Sequence, residues 1–506
     1  MGITAEPSDS SVVTHHKPAG QTRRSADSWR STPGIIVIAL TLLAAALRFG
    51  TLNVQSIWLD ESATILLVHR GLGGMLSHLS ASESAPPLYY ILVWGWTKVF
   101  GATVLGFRSL SALAGTLTVP VLYVAGRRIS TRAGLWAAAL AAFNPAMYYY
   151  SQEARAYALL ILFSAAAIVL WQRVLEQPEK PRLWLWAGMS ILALLTHYFA
   201  VFLFVPETII LAKRLGWRRV LTPVGAVVLV GIALVPLALR QRADGKTDWI
   251  EAASLTSRIA ESAKQFLVGL YGPLEILTAV AAGLLAIGAI LLLLAVGEEH
   301  ERRGARDIAI VAITAITLPL LLALAHVLDV FDGRNVIAAW SPWAILIAAG
   351  LGVARAPRVG TMLGVGLSVL SLAVIVGVNA IPGYQRDDWR SAAHALPART
   401  AGRVIVSQEN AMLPLSIYLP ALHEARGASV STRELDFVAL RRRRSVGSPL
   451  PPVVPTKPPP GFHLVGVHRT ESYAVSRFLA PRVTTVQDAT LRRASGESTG
   501  EVMKQH

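Results

Sequence analysis

Two neighbouring carboxylates, Asp60 and Glu61, follow the first long apolar segment of the chain within a few residues. Close to lipid, desolvation and mutual repulsion are expected to raise the pKa of at least one of them. A carboxylate with a raised pKa can act as a general base near neutral pH. Either residue could instead cap the helix that follows, so the dipeptide leaves a catalytic and a structural interpretation open.

A second group begins at Glu83, which adds a third carboxylate near the same surface. Pro86 and Pro87 follow and give the next apolar segment a rigid entry, because proline is tolerated in the first turn of a helix. Tyr89 and Tyr90 come directly afterwards. The pattern is typical of a helix start, and Glu83 could also belong to the same site as the first two carboxylates.

The segment 148–157 (YYYSQEARAY) lies at a turn between two apolar segments. Glu153 and Tyr157 are one turn apart if the segment is helical, so they would share a face. Glu153 and Arg155 could form a local ion pair. Alternatively, Glu153 is a second acidic group opposite the first carboxylates, and the tyrosines of this segment, including Tyr150, stack on a sugar.

Arg334 begins an apolar segment and follows the acidic stretch 329–332. A guanidinium at such a place can clamp a phosphate. It could also form a salt bridge with Asp329 or Asp332. His197 lies near the end of another apolar segment, where a histidine with satisfied hydrogen bonds at the membrane interface is the simpler interpretation.

The composition indicates an integral membrane protein. The 506 residues are 53% hydrophobic and only 15% charged, whereas a soluble globular chain carries roughly 25% charge. The net charge of +16 lies in short clusters between apolar runs, which argues against a soluble nucleic-acid-binding protein. The chain has no cysteine, so disulfides, thiolate metal sites and cysteine nucleophiles are excluded.

Eleven apolar segments are candidate spans, since a span needs about 20 apolar residues. They cover residues 34–52, 107–125, 133–149, 154–172, 183–197, 198–212, 220–239, 274–296, 307–327, 336–353 and 359–378. With the N-terminus in the cytoplasm, all the main Lys and Arg clusters lie on the cytoplasmic side, as the positive-inside rule requires. A further span at 86–100 would invert part of this pattern, so that segment is predicted to lie in the outer interface.

This topology places all four groups of candidate residues on the outer side and defines the domains. The predicted parts are a disordered cytoplasmic tail (1–33), a membrane domain (34–379) with outer loops at 53–106 and 240–273, an extracytoplasmic α/β domain (380–490) and a disordered tail (491–506). The α/β domain is predicted because strand-like runs alternate with helix candidates. The runs are 402–407 and 463–467, and the helix candidates are 410–419 and 471–479.

Carboxylates, aromatic rings and a guanidinium on one membrane face could bind a lipid-anchored substrate with a phosphate-linked sugar. A polyprenyl phosphate would supply the buried tail, the charged head and the sugar. A transporter or lipid-carrier flippase is an alternative, although its charges would be expected near the bilayer midplane rather than at one edge. A scaffold protein whose outer domain binds cell-wall polymer is a second alternative.

The sequence resembles the polytopic GT-C glycosyltransferases, specifically the family that includes protein O-mannosyltransferases and aminoarabinose transferases (glycosyltransferase family 39). The matching motifs are WLDE at 58–61, PPLYY at 86–90, FRSLSALAGTLTVPVLYVAGRR at 107–128, SQEARAY at 151–157, HYF at 197–199, GRN at 333–335 and YQRDDWR at 384–390. The resemblance implies an all-α polytopic membrane fold of about 11 transmembrane helices, with two juxtamembrane helices at 61–79 and 86–102 and the small α/β domain.

The resemblance also implies an activity and a location. A sugar, mannose or arabinose-like, would be transferred with inversion from a polyprenyl-phosphate donor to a hydroxyl of a cell-envelope glycan, lipid or protein. The reaction would take place at the outer face of the inner (plasma) membrane. No nucleic acid is expected as a partner. No metal or other cofactor is expected, because the mannosyltransferase branch requires none and the sequence shows no added cluster of ligands.

The family pattern assigns roles to individual residues. Asp60 looks like the base that deprotonates the acceptor, with Glu61 beside it, and Glu153 looks like the second acidic residue. Arg334 looks like the phosphate contact. The expected substrate-binding residues are Glu83, Tyr89, Tyr90, Tyr150, Arg155, Tyr157 and His197. Many relatives carry histidine before the two prolines, where this chain has Ala85, so Glu83 or His78 could take that place.

Overall fold

The structure is a computed structural model that describes residue 2 and residues 32–245, 248–397, 402–441, 451–496 and 499–505. Almost all of the predicted cytoplasmic tail (1–33) therefore lies outside the described residues. Residues 442–450, which begin with Arg442, Arg443 and Arg444, also lie outside the described residues.

The first part of the chain is helical. Its helices are α1 (Thr32–Gly50), α2 (Leu59–Val68), α3 (Gly71–Ser82), α4 (Leu88–Phe100), α5 (Val104–Gly126), α6 (Thr131–Phe143), α7 (Pro145–Ser151), α8 (Tyr157–Glu176), α9 (Lys180–Thr196), α10 (Val201–Leu215), α11 (Trp217–Ala243), α12 (Asp248–Glu251), α13 (Leu255–Val268), α14 (Glu275–Val296), α15 (Glu299–Leu324), α16 (Trp340–Leu351) and α17 (Pro357–Ala380).

Seven helices of the described chain are long and apolar enough to cross a membrane, namely α1, α5, α8, α11, α14, α15 and α17. Each of the eleven apolar segments predicted from the sequence contains a helix, and the remaining four are shorter. The chain is a multi-pass membrane protein. The predicted fold class, a polytopic helical membrane protein with a small α/β domain, is confirmed.

Small residues allow α5 and α6 to pack closely in the middle of the helical domain. A Cβ atom on Gly134 would lie 2.8 Å from the carbonyl oxygen of Tyr123, and Ala137 and Ala138 are fully buried at the same interface. Close backbone approach through small residues is a main source of helix association in lipid, where the surrounding chains are as apolar as the helices. The Ala-rich sequence of α6 therefore determines its central position.

Arg48 on α1 is fully buried and connects that helix to α6 and to the end of α7. Glu153 lies in the turn that follows α7. Its guanidinium donates to the carbonyl oxygen of Ala141 at 2.8 Å, and its Nε donates to Ser151 Oγ at 3.0 Å. A Cβ atom on Gly115 would lie 2.0 Å from Ser151 Oγ. Glycine is therefore required on α5 for this buried contact to form.

The loop between α1 and α5 contains three short helices, where the sequence predicts two. The predicted helix at 86–102 corresponds to α4, but the prediction of one helix over 61–79 is wrong. The chain ends α2 at Val68 and restarts at Gly71, whose φ of +75° lies in the left-handed region that glycine adopts most readily. This break separates α2, which carries the first carboxylates, from α3.

The C-terminal domain is a sheet covered by short helices. Its described elements are α18 (Trp389–His394), β1 (Arg403–Ser407), α19 (Met412–Tyr418), β2 (Leu422–Glu424), β3 (Ser429–Leu440), β4 (His463–Arg469), β5 (Tyr473–Gln487), α20 (Asp488–Ser495) and β6 (Glu501–Gln505). The strand order is β2-β6-β1-β3-β5-β4. Strands β1 and β3 are parallel, and the other pairs are antiparallel.

Two predictions for this domain are wrong. The helix expected at 471–479 is part of strand β5, which pairs with both β3 and β4. The tail predicted to be disordered (491–506) contains most of α20 and the whole of β6, and β6 lies between β1 and β2. Both errors have the same cause, since pairing on two sides stabilises strands whose own sequence pattern is weak.

Candidate active site

A polar cavity of about 800 Å³ lies where the first loop, α8, α11 and the segment before α16 meet. Its lining includes residues that the sequence singles out from five separate stretches of the chain. They are Asp60, Glu83, Arg155, Tyr157, His197 and Arg334. The fold thus brings candidate residues separated by up to 274 positions to one place.

Asp60 and Arg334 face each other in this cavity. Arg334 Nη1 donates to Asp60 Oδ2 at 3.0 Å, and each side chain keeps about a quarter of its surface exposed. Within the described structure Asp60 makes no capping hydrogen bond at the start of α2, where Trp58 is the N-cap residue. The interpretation of Asp60 as a helix cap is therefore wrong.

Arg334 is held from two further sides. Its guanidinium lies over the ring of Trp249 at 4.3 Å, and its Nε lies 3.7 Å from Asp332 Oδ1. Asp329, the other aspartate that could have paired with it, instead accepts two hydrogen bonds of 2.7 Å from Arg258. Stacking on tryptophan fixes the plane of a guanidinium and leaves its edge available for an anion.

Arg155 pairs with Glu83 rather than with its neighbour in sequence. Its Nη1 donates to Glu83 Oε2 and, at 3.2 Å, to Thr64 Oγ1, while Thr64 donates to Glu83 Oε1 at 2.9 Å. The local Glu153–Arg155 pair is therefore not formed among the described contacts. Of the two residues that could replace the missing histidine, Glu83 lines the cavity, whereas His78 is exposed on α3 and is not part of that lining.

Glu61 is fully buried beside the cavity. Its two oxygens accept from Arg108 Nε at 2.7 Å and Arg108 Nη2 at 2.6 Å, and it also accepts from the backbone N–H of Ala154 and from Arg386. Burial opposes its ionisation, but Arg108 and Arg386 outweigh that effect and hold the pKa of Glu61 below its ordinary value. The structure thus places Glu61 in a buried network of hydrogen bonds beside the cavity, and its catalytic role stays a prediction.

Glu153 carries the raised pKa that the sequence assigns to the first two carboxylates. It is buried, and neither carboxylate oxygen has a hydrogen-bond partner among the described residues. Burial raises its pKa to about 7, and Arg386, whose Nη2 lies 4.0 Å from Oε2, acts in the opposite direction. Glu153 therefore takes up a proton much more readily than an ordinary glutamate.

The predicted tyrosines divide into two sets. Tyr157 lines the cavity, where its ring lies 5.7 Å from that of His197. Tyr89 and Tyr90 are fully buried on α4 with their rings nearly perpendicular and are not part of the cavity lining, so their contact with substrate stays a prediction. Tyr150 is also buried behind Tyr157, with ring centroids 4.8 Å apart, and supports the cavity wall instead of lining it.

Comparisons with known proteins agree with this architecture. A model of the dolichyl-phosphate-mannose-protein mannosyltransferase family matches residues 84–239. This range begins directly after Glu83 and includes Glu153 and His197. The apo structure of ArnT from Cupriavidus metallidurans is similar with a TM-score of 0.56 at 13% identity, covering 88% of this chain and 98% of that chain. The chain is therefore similar to this family over residues 84–239 and shares the fold of ArnT. A search of curated proteins finds no match.

A second structure of the same ArnT, bound to undecaprenyl phosphate, is similar with a TM-score of 0.50 at 12% identity. It covers 90% of this chain and 98% of that chain. At this level of identity the likeness shows the fold alone. The roles of individual residues in this chain therefore depend on its own geometry.

The sheet domain holds the segment that leads into Asp60. Tyr418 on α19 accepts a hydrogen bond from the backbone N–H of Ile57 at 2.9 Å. Arg390 donates to Ser56 Oγ through its backbone at 3.0 Å and to the carbonyl oxygen of Gln55 at 2.9 Å. None of these contacts follows from the sequence, since they join residues more than 300 positions apart.

Arg108 and Arg386 are the site residues that sequence reasoning missed. Both lie inside motifs of the family resemblance, at FRSL and YQRD. For Arg108 a signal was available, because an arginine near the end of an apolar helix is costly and requires a partner. Arg386 lies in an irregular linker, where neither periodicity nor hydropathy distinguishes it.

Replacing Glu61 with glutamine is expected to lower the free energy of unfolding by about 3–5 kcal/mol, because the buried guanidinium of Arg108 loses its countercharge. The change should appear as a lower Tm of the detergent-solubilised protein. Glu251→Gln is the matched control, since Glu251 is an exposed carboxylate of the cavity lining. An unchanged Tm for Glu61→Gln would contradict the structural role.

Proposed function

We propose that this protein is a GT-C glycosyltransferase that transfers a sugar from a polyprenyl-phosphate donor to an acceptor hydroxyl with inversion at the anomeric carbon. The observation that carries the proposal is the direct contact of Asp60 with Arg334 at 3.0 Å in the polar cavity. A general base and a phosphate-binding cation must lie within one sugar-phosphate of each other for such a reaction. The undecaprenyl phosphate bound to ArnT supports the choice of lipid carrier.

When the donor binds, Arg334 is expected to exchange its contact with Asp60 for a contact with the donor phosphate. The phosphate of the donor takes the place of the Asp60 carboxylate on the guanidinium, while Trp249 and Asp332 keep the arginine in position. Charge-assisted hydrogen bonds between guanidinium and phosphate are among the stronger contacts in proteins. The exchange frees the Asp60 carboxylate for the acceptor only when a donor is present.

The transfer step then proceeds between these two groups. Asp60 takes the proton of the acceptor hydroxyl as its oxygen attacks the anomeric carbon from the face opposite the phosphate. The bond between that carbon and the phosphate oxygen breaks, and its electron pair leaves with the polyprenyl phosphate, which Arg334 stabilises. The transition state has oxocarbenium character, as in glycoside chemistry generally.

An apolar cavity of about 360 Å³ between α9, α10 and α11 is the proposed site of the prenyl chain. It shares Tyr198 and Ala238 with the polar cavity, so the two are contiguous. The wall of this cavity is almost entirely apolar and includes the side chains of Leu194 and Phe204. Burial of a lipid chain contributes about 0.8 kcal/mol per CH₂ group.

Filling this groove is expected to weaken donor binding. Gly231 lines it, and a Cβ atom there would meet only Leu194 at an ordinary distance of 3.5 Å among the described atoms, so Gly231→Leu should fold. Loss of two buried CH₂ groups would raise the donor KM by about tenfold. Gly225→Leu on the exposed part of the same helix is the control. Equal donor KM values in the two variants would contradict the proposed groove.

The proposed acceptor side is the part of the cavity formed by the sheet domain. Asn410 and Leu413, at the start of α19, line the cavity and are both exposed. A cell-envelope glycan, lipid or protein could enter there, and the sugar could be mannose or an arabinose-like pentose. By the positive-inside rule this side is the outer face of the plasma membrane, with the N-terminus in the cytoplasm.

The function is tested with purified protein, a polyprenyl phosphate carrying a radiolabelled sugar, and delipidated cell envelope as acceptor. Transfer predicts label that stays on the acceptor after the lipid donor is extracted, together with release of polyprenyl phosphate. The assay is run in parallel with mannose and arabinose donors. Movement of intact donor between the leaflets of a vesicle, without release of polyprenyl phosphate, would support the flippase alternative and contradict the proposal.

A further inference from the structure

Arg386 is a buried arginine in the linker between α17 and α18, and it reaches back into the helical domain. Its Nη1 donates to the carbonyl oxygen of Gln152 at 2.9 Å and to Glu61 Oε2 at 3.3 Å. Its Nη2 donates to the carbonyl oxygen of Tyr149 at 3.3 Å. One guanidinium thus joins α2 to the turn between α7 and α8.

The backbone and the ring contacts of Arg386 fix its position further. Its backbone N–H donates to Gln55 Oε1 at 3.0 Å, in the segment that leads into Asp60. Its guanidinium lies 4.3 Å from the ring centroid of Tyr149 and 5.7 Å from that of Trp58. These contacts leave the side chain little freedom to leave the site.

The same guanidinium faces Glu153, whose buried oxygens lack hydrogen bonds within the described structure. The charged and titratable groups that act on Glu153 are Arg386 from the linker, Asp60 and Glu61 from α2, Arg155 from its own turn, and the tyrosines Tyr89, Tyr149, Tyr150 and Tyr157. Arg155 is already paired with Glu83, and Glu61 is paired with Arg108. Arg386 is therefore the cation placed to favour the charged form of Glu153.

Resting on the proposed function, we propose that Arg386 is a positioning residue that favours the ionised form of Glu153 and holds the Asp60 segment in place for sugar transfer. An ionised Glu153 adds negative charge beside the cavity. That charge stabilises the positive charge that develops on the sugar ring as the donor bond breaks. A protonated Glu153 would lose this effect without any change of shape.

The pKa of Glu153, about 7, makes this role measurable. Activity that needs the carboxylate declines as the pH falls through this value, because the group then takes up a proton. An opposite charge at this range typically lowers a carboxyl pKa by about 1–3 units. In the pH profile of kcat/KM, the acid limb is the part where activity declines as the pH falls. Removing Arg386 is therefore expected to shift this acid limb to a pH higher by about 1–3 units.

The experiment compares Arg386→Gln, Arg386→Lys and Arg390→Gln in the sugar-transfer assay between pH 5 and pH 9. Arg386→Gln should lower kcat by about 10²-fold through misplacement of the Asp60 segment and shift the acid limb upwards. Arg386→Lys should restore the position of the limb and only part of kcat. Arg390→Gln is the matched control, because Arg390 contacts the same segment without facing Glu153, so it should lower kcat without shifting the limb.

A second measurement does not depend on activity. Dicyclohexylcarbodiimide is an apolar reagent that reacts with protonated carboxyl groups, and mass spectrometry reports its addition to Glu153 as a function of pH. The midpoint should rise in Arg386→Gln and stay near the wild-type value in Arg386→Lys and Arg390→Gln. If the glutamine variant does not fold, complete labelling of wild-type Glu153 up to pH 9 would still overturn the proposal.

The two readouts separate this inference from the proposed function. A wild-type protein that transfers no sugar would refute the function, while the labelling midpoints would still report the effect of Arg386 on Glu153. An unchanged acid limb and an unchanged labelling midpoint in Arg386→Gln would overturn the positioning role. A shift in both, reversed by lysine, would support it.

Discussion

Asp60→Asn is expected to lower turnover by about 10²–10⁴-fold, because the amide cannot take the proton of the acceptor hydroxyl. Donor affinity should be retained or increased in this variant. In the wild-type protein the Asp60 carboxylate occupies Arg334 and competes with the donor phosphate, whereas a neutral amide competes less. Single-turnover kinetics with a labelled donor, together with equilibrium binding of the donor, would measure both effects.

Asp244→Asn is the control for this prediction. Asp244 is exposed at the end of α11, outside the cavity lining that the structure describes, so the variant should keep wild-type turnover. If Arg334 exchanges Asp60 for the donor phosphate, Asp60→Asn should lower turnover without lowering donor affinity. Turnover near the wild-type rate would remove Asp60 from the mechanism.

Arg334→Gln is expected to lower kcat/KM by about 10²–10³-fold, the usual cost of removing one group that stabilises charge in the transition state. Its effect should appear in both donor KM and kcat, because the guanidinium binds the phosphate and stabilises it as it leaves. Arg334→Lys should recover only part of the loss, since an ammonium cannot lie flat on Trp249 or donate two parallel hydrogen bonds.

The matched control for Arg334 is Arg242→Gln. Arg242 is an exposed arginine of the same cavity lining, so its loss changes the charge of the cavity without removing the partner of Asp60. Long-range attraction of an anionic donor by this exposed charge is screened within about 10 Å at 0.1 M salt, so the effect on kcat/KM should be small. Equal losses in the two variants would show that Arg334 acts only through bulk charge.

The candidate site could be predicted in part because charged residues beside apolar segments are conspicuous. Asp60 and Arg334 stand out for this reason, and the positive-inside rule assigns them to the same membrane face. The partners of Arg155 could not be predicted in the same way. Its nearest carboxylate in sequence is Glu153, but the fold brings Glu83 from 72 positions away into contact with it.

The protonation behaviour of the acids depended on the packing around each of them. Two adjacent carboxylates suggested a raised pKa at Asp60 or Glu61, yet Glu61 is surrounded by two guanidinium groups and the raised pKa belongs to Glu153. Burial and neighbouring charge act over a few ångströms in space. Neither quantity can be read from the order of residues along the chain.

The C-terminal domain shows the same limit for secondary structure. Strand β6 has only five residues with a mixed polar sequence, and it is stabilised by hydrogen bonds to β1 on one side and β2 on the other. Such a segment has little preference of its own, because strand propensity depends on neighbours and burial. The prediction of a disordered tail failed for this reason.

The sequence by itself determined that this is a membrane protein, where its apolar helices lie and which side chains are available for chemistry. Those properties are sums over short stretches of chain, so composition and hydropathy are sufficient. Only the tertiary structure decided which charges meet, including Asp60 with Arg334 and Glu61 with Arg108 and Arg386. Contacts between residues far apart in the chain depend on how helices pack, and no local pattern encodes that geometry.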